Sequence, residues 1–180
     1  MIRAASSSAV RALARTVVLL LALGLAGCAA PTPPRADAAA GIALNNRGHA
    51  LAQQGRHAEA VPLYREALSR LPADDAAGAR NRASTLNNLG ASLAALGATA
   101  EAMQAFTQAL QLREDVLGPQ APPTLLSRHN LGIALARLGR PREACAQALP
   151  AWRGRVQVLG ADHPDTLASR QSVESLPDCR

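Results

Sequence analysis

The residues of this 180-residue chain best equipped for chemistry are three cysteines, Cys28, Cys145 and Cys179, and four histidines, His49, His57, His129 and His163. A thiol can attack, carry an acyl or alkyl group, pair with a second thiol or bind a metal. An imidazole can serve as a base or a ligand. A metal site wants its ligands one helical turn apart or clustered with carboxylates. The histidines do not meet that demand: His49 and His129 lie on one kind of helical segment, His57 opens another, and His163 sits in a proline-containing turn. No Ser or Cys stands in a nucleophile motif, and no glycine-rich loop follows a strand to cradle phosphate. We therefore expect no catalytic residue, no metal, no cofactor and no enzymatic activity.

The position of Cys28 gives it a separate meaning. Residues 1–16 are short and basic, with Arg3, Arg11 and Arg15, and an apolar run from Val17 to Leu25 follows. That run is too short to span a bilayer, which takes about 20 apolar residues, but has the form of a secretory signal. Leu25-Ala26-Gly27-Cys28 resembles the lipobox of bacterial lipoprotein signals at every position. The resemblance implies cleavage before Cys28, diacylglycerol on its sulfur and an acyl chain on its new amino group. One acyl chain binds a membrane reversibly and further chains make the anchor stable. Ala29, where a retention signal would have Asp, implies a lipid anchor in the outer membrane, facing the periplasm of a bacterial cell envelope. The Pro-rich stretch Ala29 to Asp37 reads as a semi-rigid tether, with the folded part starting near Ala38. With Cys28 lipidated, Cys145 and Cys179 remain as an even pair in an exported chain. They either close a disulfide or stay as a buried Cys145 and a free tail thiol.

These residues need helices to position them. Hydrophobic residues make up 48% of the chain but aromatics only 2%. A core built mostly of Ala and Leu favours closely packed helices. The formal charge of +6 rests on arginine alone, since no lysine occurs, and three of the arginines lie in the expected signal peptide. With base-stacking aromatics nearly absent, nucleic acid is excluded as a partner.

Self-comparison reveals a period of 42 residues. Asn46, Asn88 and Asn130 recur, as do Gly48, Gly90 and Gly132, then Gly55, Gly97 and Gly139, and the Glu-Ala pairs at Glu59, Glu101 and Glu143. In the second unit Leu86, Leu89, Leu93 and Leu96 form a helical stripe, and Gly97 ends that helix. Thr99 is placed to cap the next, in which Ala102, Phe106, Ala109 and Leu110 face inward. The glycines at 48, 90 and 132 each cost about 1 kcal/mol in a helix relative to Ala, so their recurrence predicts a close approach by a partner helix.

The sequence Asn-Leu-Gly, Leu, Leu-Gly, Glu-Ala, aromatic and Ala-Leu resembles tetratricopeptide repeats. The 42-residue period and the linker Val158 to Leu167 are similar to the kinesin-light-chain subtype. The implied fold is all-α, an α-solenoid of about three tetratricopeptide helical hairpins plus a C-terminal capping helix. The expected divisions are 1–27 signal peptide, 28–37 lipidated cysteine and tether, 38–76, 79–121 and 122–163 repeats, 164–176 capping helix and 177–180 tail. The first unit diverges at Arg47, and the third has Ala148 where Tyr64 and Phe106 stand. Pro150 and Gly154 are expected to kink or fray the third unit's second helix.

In such arrays the first helices line a concave groove. Register then gives three candidate rows for binding a partner: Asn45, Asn87 and His129; His49, Ala91 and Ile133; Gln53, Ala95 and Arg137. The small Ala91 and Ala95, flanked by amides, would admit an extended or helical peptide. Asn46, Asn88 and Asn130 beside them are expected to tie neighbouring helices together. The implied function is a membrane-anchored protein–protein adaptor or assembly factor of the cell envelope, with a protein or peptide partner. The alternatives are a self-associating structural lipoprotein (a homo-oligomer) and a regulatory subunit that docks a periplasmic enzyme.

Overall fold

The computed structural model describes residues 35–179. The expected signal peptide, Cys28 and most of the expected tether lie outside the described residues. Among the described residues there are seven α-helices and no strand: α1 (Arg35–Gln53), α2 (His57–Arg70), α3 (Ala76–Ala95), α4 (Thr99–Leu117), α5 (Pro122–Arg137), α6 (Pro141–Leu159) and α7 (Pro164–Glu174), then a 3-10 turn (Pro177–Cys179). None of these helices is long and apolar enough to cross a membrane. Each helix packs mainly on its neighbours in the chain, giving hairpins α1–α2, α3–α4 and α5–α6 with α7 set against α6.

The hairpin turns are made by one device used three times. Gly55, Gly97 and Gly139 take φ of 76°, 80° and 69°, a region that costs a side-chain-bearing residue energy. The following amide then reaches back across the turn: Arg56 N–H donates to Leu51 O at 3.0 Å, Ala98 to Leu93 O at 2.9 Å and Arg140 to Leu135 O at 3.0 Å. This bond, six residues to one, closes carbonyls that the helix end leaves open.

Packing between the paired helices explains the second set of glycines. A Cβ at Gly48 would lie 2.8 Å from Tyr64 Cε1, and one at Gly90 would lie 2.7 Å from Phe106 Cε1. Both rings are buried, so the helix cost of each glycine is offset by an aromatic ring laid against bare backbone, a burial worth roughly 2–3 kcal/mol. At Gly132 the same position meets no ring, its nearest neighbours being the Ala144 carbonyl and the Ala148 nitrogen at 3.3 Å and Ala148 Cβ at 3.4 Å. The core continues through Leu89, Leu93, Leu131 and Leu135 to Val173 and Leu176. A disulfide joins Cys145 on α6 to Cys179, with Cα atoms 5.4 Å apart.

Several expectations are corrected. The first helix begins at Arg35, with Asp37 in its first turn, not at Ala38. An acidic residue there favours the positive end of the helix. Thr99 does not cap α4: Ala98 holds that position without a side-chain bond, and the Thr99 hydroxyl donates to Gly97 O instead. Asp75 does cap a helix, accepting from Gly78 N–H at 2.6 Å. Leu96 lies outside the core, half exposed at the end of α3. The helix α6 runs unbroken through Pro150 and Gly154. Pro150 faces solvent, where the lost hydrogen bond can be made to water. Gly154 is a contact point, since a Cβ there would come within 2.6 Å of Leu125 Cδ2.

Candidate functional site

The first helices of successive hairpins touch directly, α1 with α3 and α3 with α5, and the second helices make no contact of similar extent. The first-helix face is therefore the closely spaced inner one. Polar rungs hold it at that spacing. Asn88 Nδ2 donates to Asn45 Oδ1 and Asn130 Nδ2 to Asn87 Oδ1, both at 3.1 Å. Asn88 and Asn130 thus tie neighbouring first helices, one rung at each of these two junctions, whereas Asn46 bonds only Asn45 within α1.

These rungs decide which register positions reach a ligand. Asn87 and His129, placed among the groove candidates, are buried. Asn87 faces α5 as a rung acceptor. His129 faces α7, where Ser169 Oγ lies 3.3 Å from its Nδ1. Burial, with Arg155 nearby, lowers the His129 pKa to about 4, so the ring is neutral. Asn45 is half-buried and engaged by Asn88. The other candidates remain accessible: His49, Gln53, Ala91, Ala95 and Arg137 are exposed and Ile133 is half-buried. His49 and Gln53, one turn apart, meet at 3.0 Å.

Three clefts open along this face. The first, of about 220 Å³, lies between α1, α2 and α3 and is lined by His49, Gln53, His57, Tyr64, Asn88 and Ser92, among others. The second, about 260 Å³, is bordered by Ala91, Ala95, Phe106, Asn130, Ile133 and Arg137. The third, about 340 Å³, is bounded by Ile133, Arg137, Ala148, Gln171, Ser172 and Leu176. No residue lining any of them is acidic, and Arg137 carries their one formal charge. Among the described residues no group of three His, Cys, Asp or Glu side chains is placed to hold a metal.

Two buried cations escaped sequence reasoning. Arg113 Nη1 donates to Pro123 O at 2.7 Å and to Ser127 Oγ at 2.8 Å. Arg155 Nη1 repeats the arrangement with Asp165 O at 2.8 Å and Ser169 Oγ at 2.6 Å. Burial lowers the pKa of both guanidinium groups. Each Arg fastens a second helix to the start of the next first helix, which is a structural task. The signal was present, because Arg113 and Arg155, and Ser127 and Ser169, each stand 42 residues apart. The polar partners of the first cleft, His57, Tyr64 and Ser92, were also missed, because none repeats in the other units.

Two family models described as tetratricopeptide repeat match the chain, one over residues 81–149 and one over residues 41–74. No curated protein matches. Among solved structures, the fold is similar to the nearly identical TPR-like repeats of a kinesin light chain assigned to Podosopora anserina, with a TM-score of 0.61 at 20% identity, over 73% of this chain and 69% of that one. It is also similar to BtubC (BKLC) of P. vanneervenii, with a TM-score of 0.65 at 16% identity, over 94% of this chain and 63% of that one.

Proposed function

Since the chain belongs to the tetratricopeptide-repeat proteins, on matches that take in more than half of its residues, we propose that it is an adaptor or assembly factor of the bacterial cell envelope that holds a partner segment on its first-helix face. The observation that carries this reading is the row of three open clefts on that face, lined by small, apolar and uncharged polar side chains around Arg137. Such a surface can bury part of a peptide and satisfy its backbone. A lipid on Cys28 would hold the domain at the membrane, on the strength of the Leu25-Ala26-Gly27-Cys28 sequence. The disulfide between Cys145 and Cys179 suits an oxidising compartment outside the cytoplasm.

The test crosslinks the native protein in membranes beside a variant with Ala91→Arg and Ala95→Arg. Both side chains are exposed, so the fold should be kept while the second cleft is blocked. Proteins captured by the wild type and lost by the variant support the adaptor reading. Identical captures from both would sink it. Feeding an alkynyl fatty acid should label the wild type and leave Cys28→Ser unlabelled. Equal labelling of the two would remove the anchor.

A further inference from the structure

The three clefts are one site repeated. Adding 42 to His49, Gln53, Tyr64, Asn88 and Ser92 in the first gives Ala91, Ala95, Phe106, Asn130 and Ala134, all of which line the second. The same step carries Ile133 and Ala134 of the second cleft to Ser175 and Leu176 of the third, and Phe106 to Ala148. A repeat that kept its clefts only for packing would have no reason to change their chemistry in step. Here the chemistry changes at every one of these positions except the Asn88 and Asn130 rung. The first cleft has two imidazoles, a phenol, a hydroxyl and two carboxamides. The second replaces His49, Gln53 and Ser92 with alanine and the phenol with a phenyl ring. The third lacks the ring altogether, and is correspondingly larger.

The first cleft also holds a buried polar group with no well-formed hydrogen bond. The Tyr64 hydroxyl is fully buried and makes no hydrogen bond of good geometry, although Ser92 lies close enough to act on it. Ser92 Oγ is already 3.3 Å from His57 Nδ1. A buried phenol whose neighbouring hydroxyl is poorly placed and shared with His57 is costly, and a ligand acceptor would relieve that cost.

We propose that the three clefts read a partner segment in order: an acceptor side chain (carboxylate or carboxamide) bonded by Tyr64 in the first cleft, a small apolar one in the second, and a bulky apolar one in the third, in the space Ala148 leaves. Arg137 borders the second and third clefts, and none of the lining residues is acidic. The segment therefore carries a carboxylate between its small and bulky residues, where it meets the guanidinium. The rungs Asn88 and Asn130 stay constant and face the segment's backbone. This ordering rests on the groove reading above and goes beyond it by giving each cleft its own occupant.

The experiment selects a randomised peptide library on the full-length protein, and on Tyr64→Phe and Ala148→Phe. Tyr64→Phe removes only a hydroxyl with no well-formed hydrogen bond, and Ala148→Phe restores the ring that Gly90 already accommodates at Phe106, so both should fold. Matching far-ultraviolet circular dichroism and melting curves check that they do. Wild-type peptides should share an acceptor residue, a small residue, a carboxylate and a bulky residue at fixed spacings. Such a peptide, synthesised, should bind Tyr64→Phe about tenfold more weakly, the scale of one buried hydrogen bond. Replacing its acceptor residue with alanine should weaken wild type and leave Tyr64→Phe unchanged. Ala148→Phe should lose the preference for the bulky residue alone. Peptides that bind this face with no ordered pattern, or that are indifferent to both substitutions, would overturn the ordered readout and leave the groove reading standing. No selected peptide displaced by Ala91→Arg with Ala95→Arg would overturn the groove reading itself.

Discussion

His129 shows how one residue can be read correctly for its register and wrongly for its role. It falls where Asn45 and Asn87 stand, and that position alone placed it in the groove. What the register did not reveal is that α7 covers it, with Ser169 and Arg155 on the covering side. Inter-repeat burial is set by the next unit, 42 residues on, and no local pattern contains it. The same covering makes a prediction. The ring's folded pKa, about 4, lies below its unfolded value of about 6.5, so the unfolded chain binds the proton first. The stability this gives is complete above pH 6.5 and is lost as pH falls from there toward 4. The loss is on the order of 2–3 kcal/mol. Arg155 opposes protonation and Asp165 favours it more weakly, so the direction holds with both neighbours present. Urea unfolding at pH 7 and pH 4.5 should show a smaller difference in His129→Asn than in wild type. An equal pH dependence in the two would mean that His129 is solvated in solution.

At the scale of the helix, most of the architecture was legible, because the signals are local and repeated. Gly55, Gly97 and Gly139 fix the turns, the Leu and Ala stripes fix the buried faces, and the recurring glycines announce close approach. What was illegible depends on competition between elements. Pro150 looks like a break in isolation, but it lies on the solvent side of α6, and Ala144, Ala148, Ala151 and Arg155 are buried around it. The glycines at equivalent positions should also differ in a way that the repeat hides. Gly90→Ala pushes a methyl into Phe106, whose ring is buried, and should cost about 1–3 kcal/mol. Gly132→Ala meets only mild crowding from Ala144 and Ala148 and gains up to about 1 kcal/mol of helix propensity. Its stability should stay within about 1 kcal/mol of wild type. Urea midpoints compare them directly, and equal losses would show that the ring is not what requires glycine.

At the scale of the whole described domain, stability is a sum of units, each helix depending mainly on its neighbours in the chain. That makes the last unit the weak one. α7 has a partner on one side only, Ala148 supplies no ring to hold α5 against α6, and the third cleft lies between them. The disulfide acts at that point. It ties the end of the 3-10 turn that follows α7 to α6 across a separation of 34 residues, a loop for which the chain-entropy argument gives about 3–4 kcal/mol. In a two-state globule that loss would be shared by every amide. In a stack of units it should stay local. Replacing Cys145 and Cys179 together by Ala should raise hydrogen exchange through α7 and the end of α6 by two orders of magnitude or more, while α1 to α4 exchange as in wild type. The third cleft, with Ser172, Ser175 and Leu176 in its wall, should lose its ligand preference in the same variant, and the first should keep its own. Exchange that rises evenly from α1 to α7 would instead show that the hairpins unfold as one body. The bridge would then stabilise the entire domain.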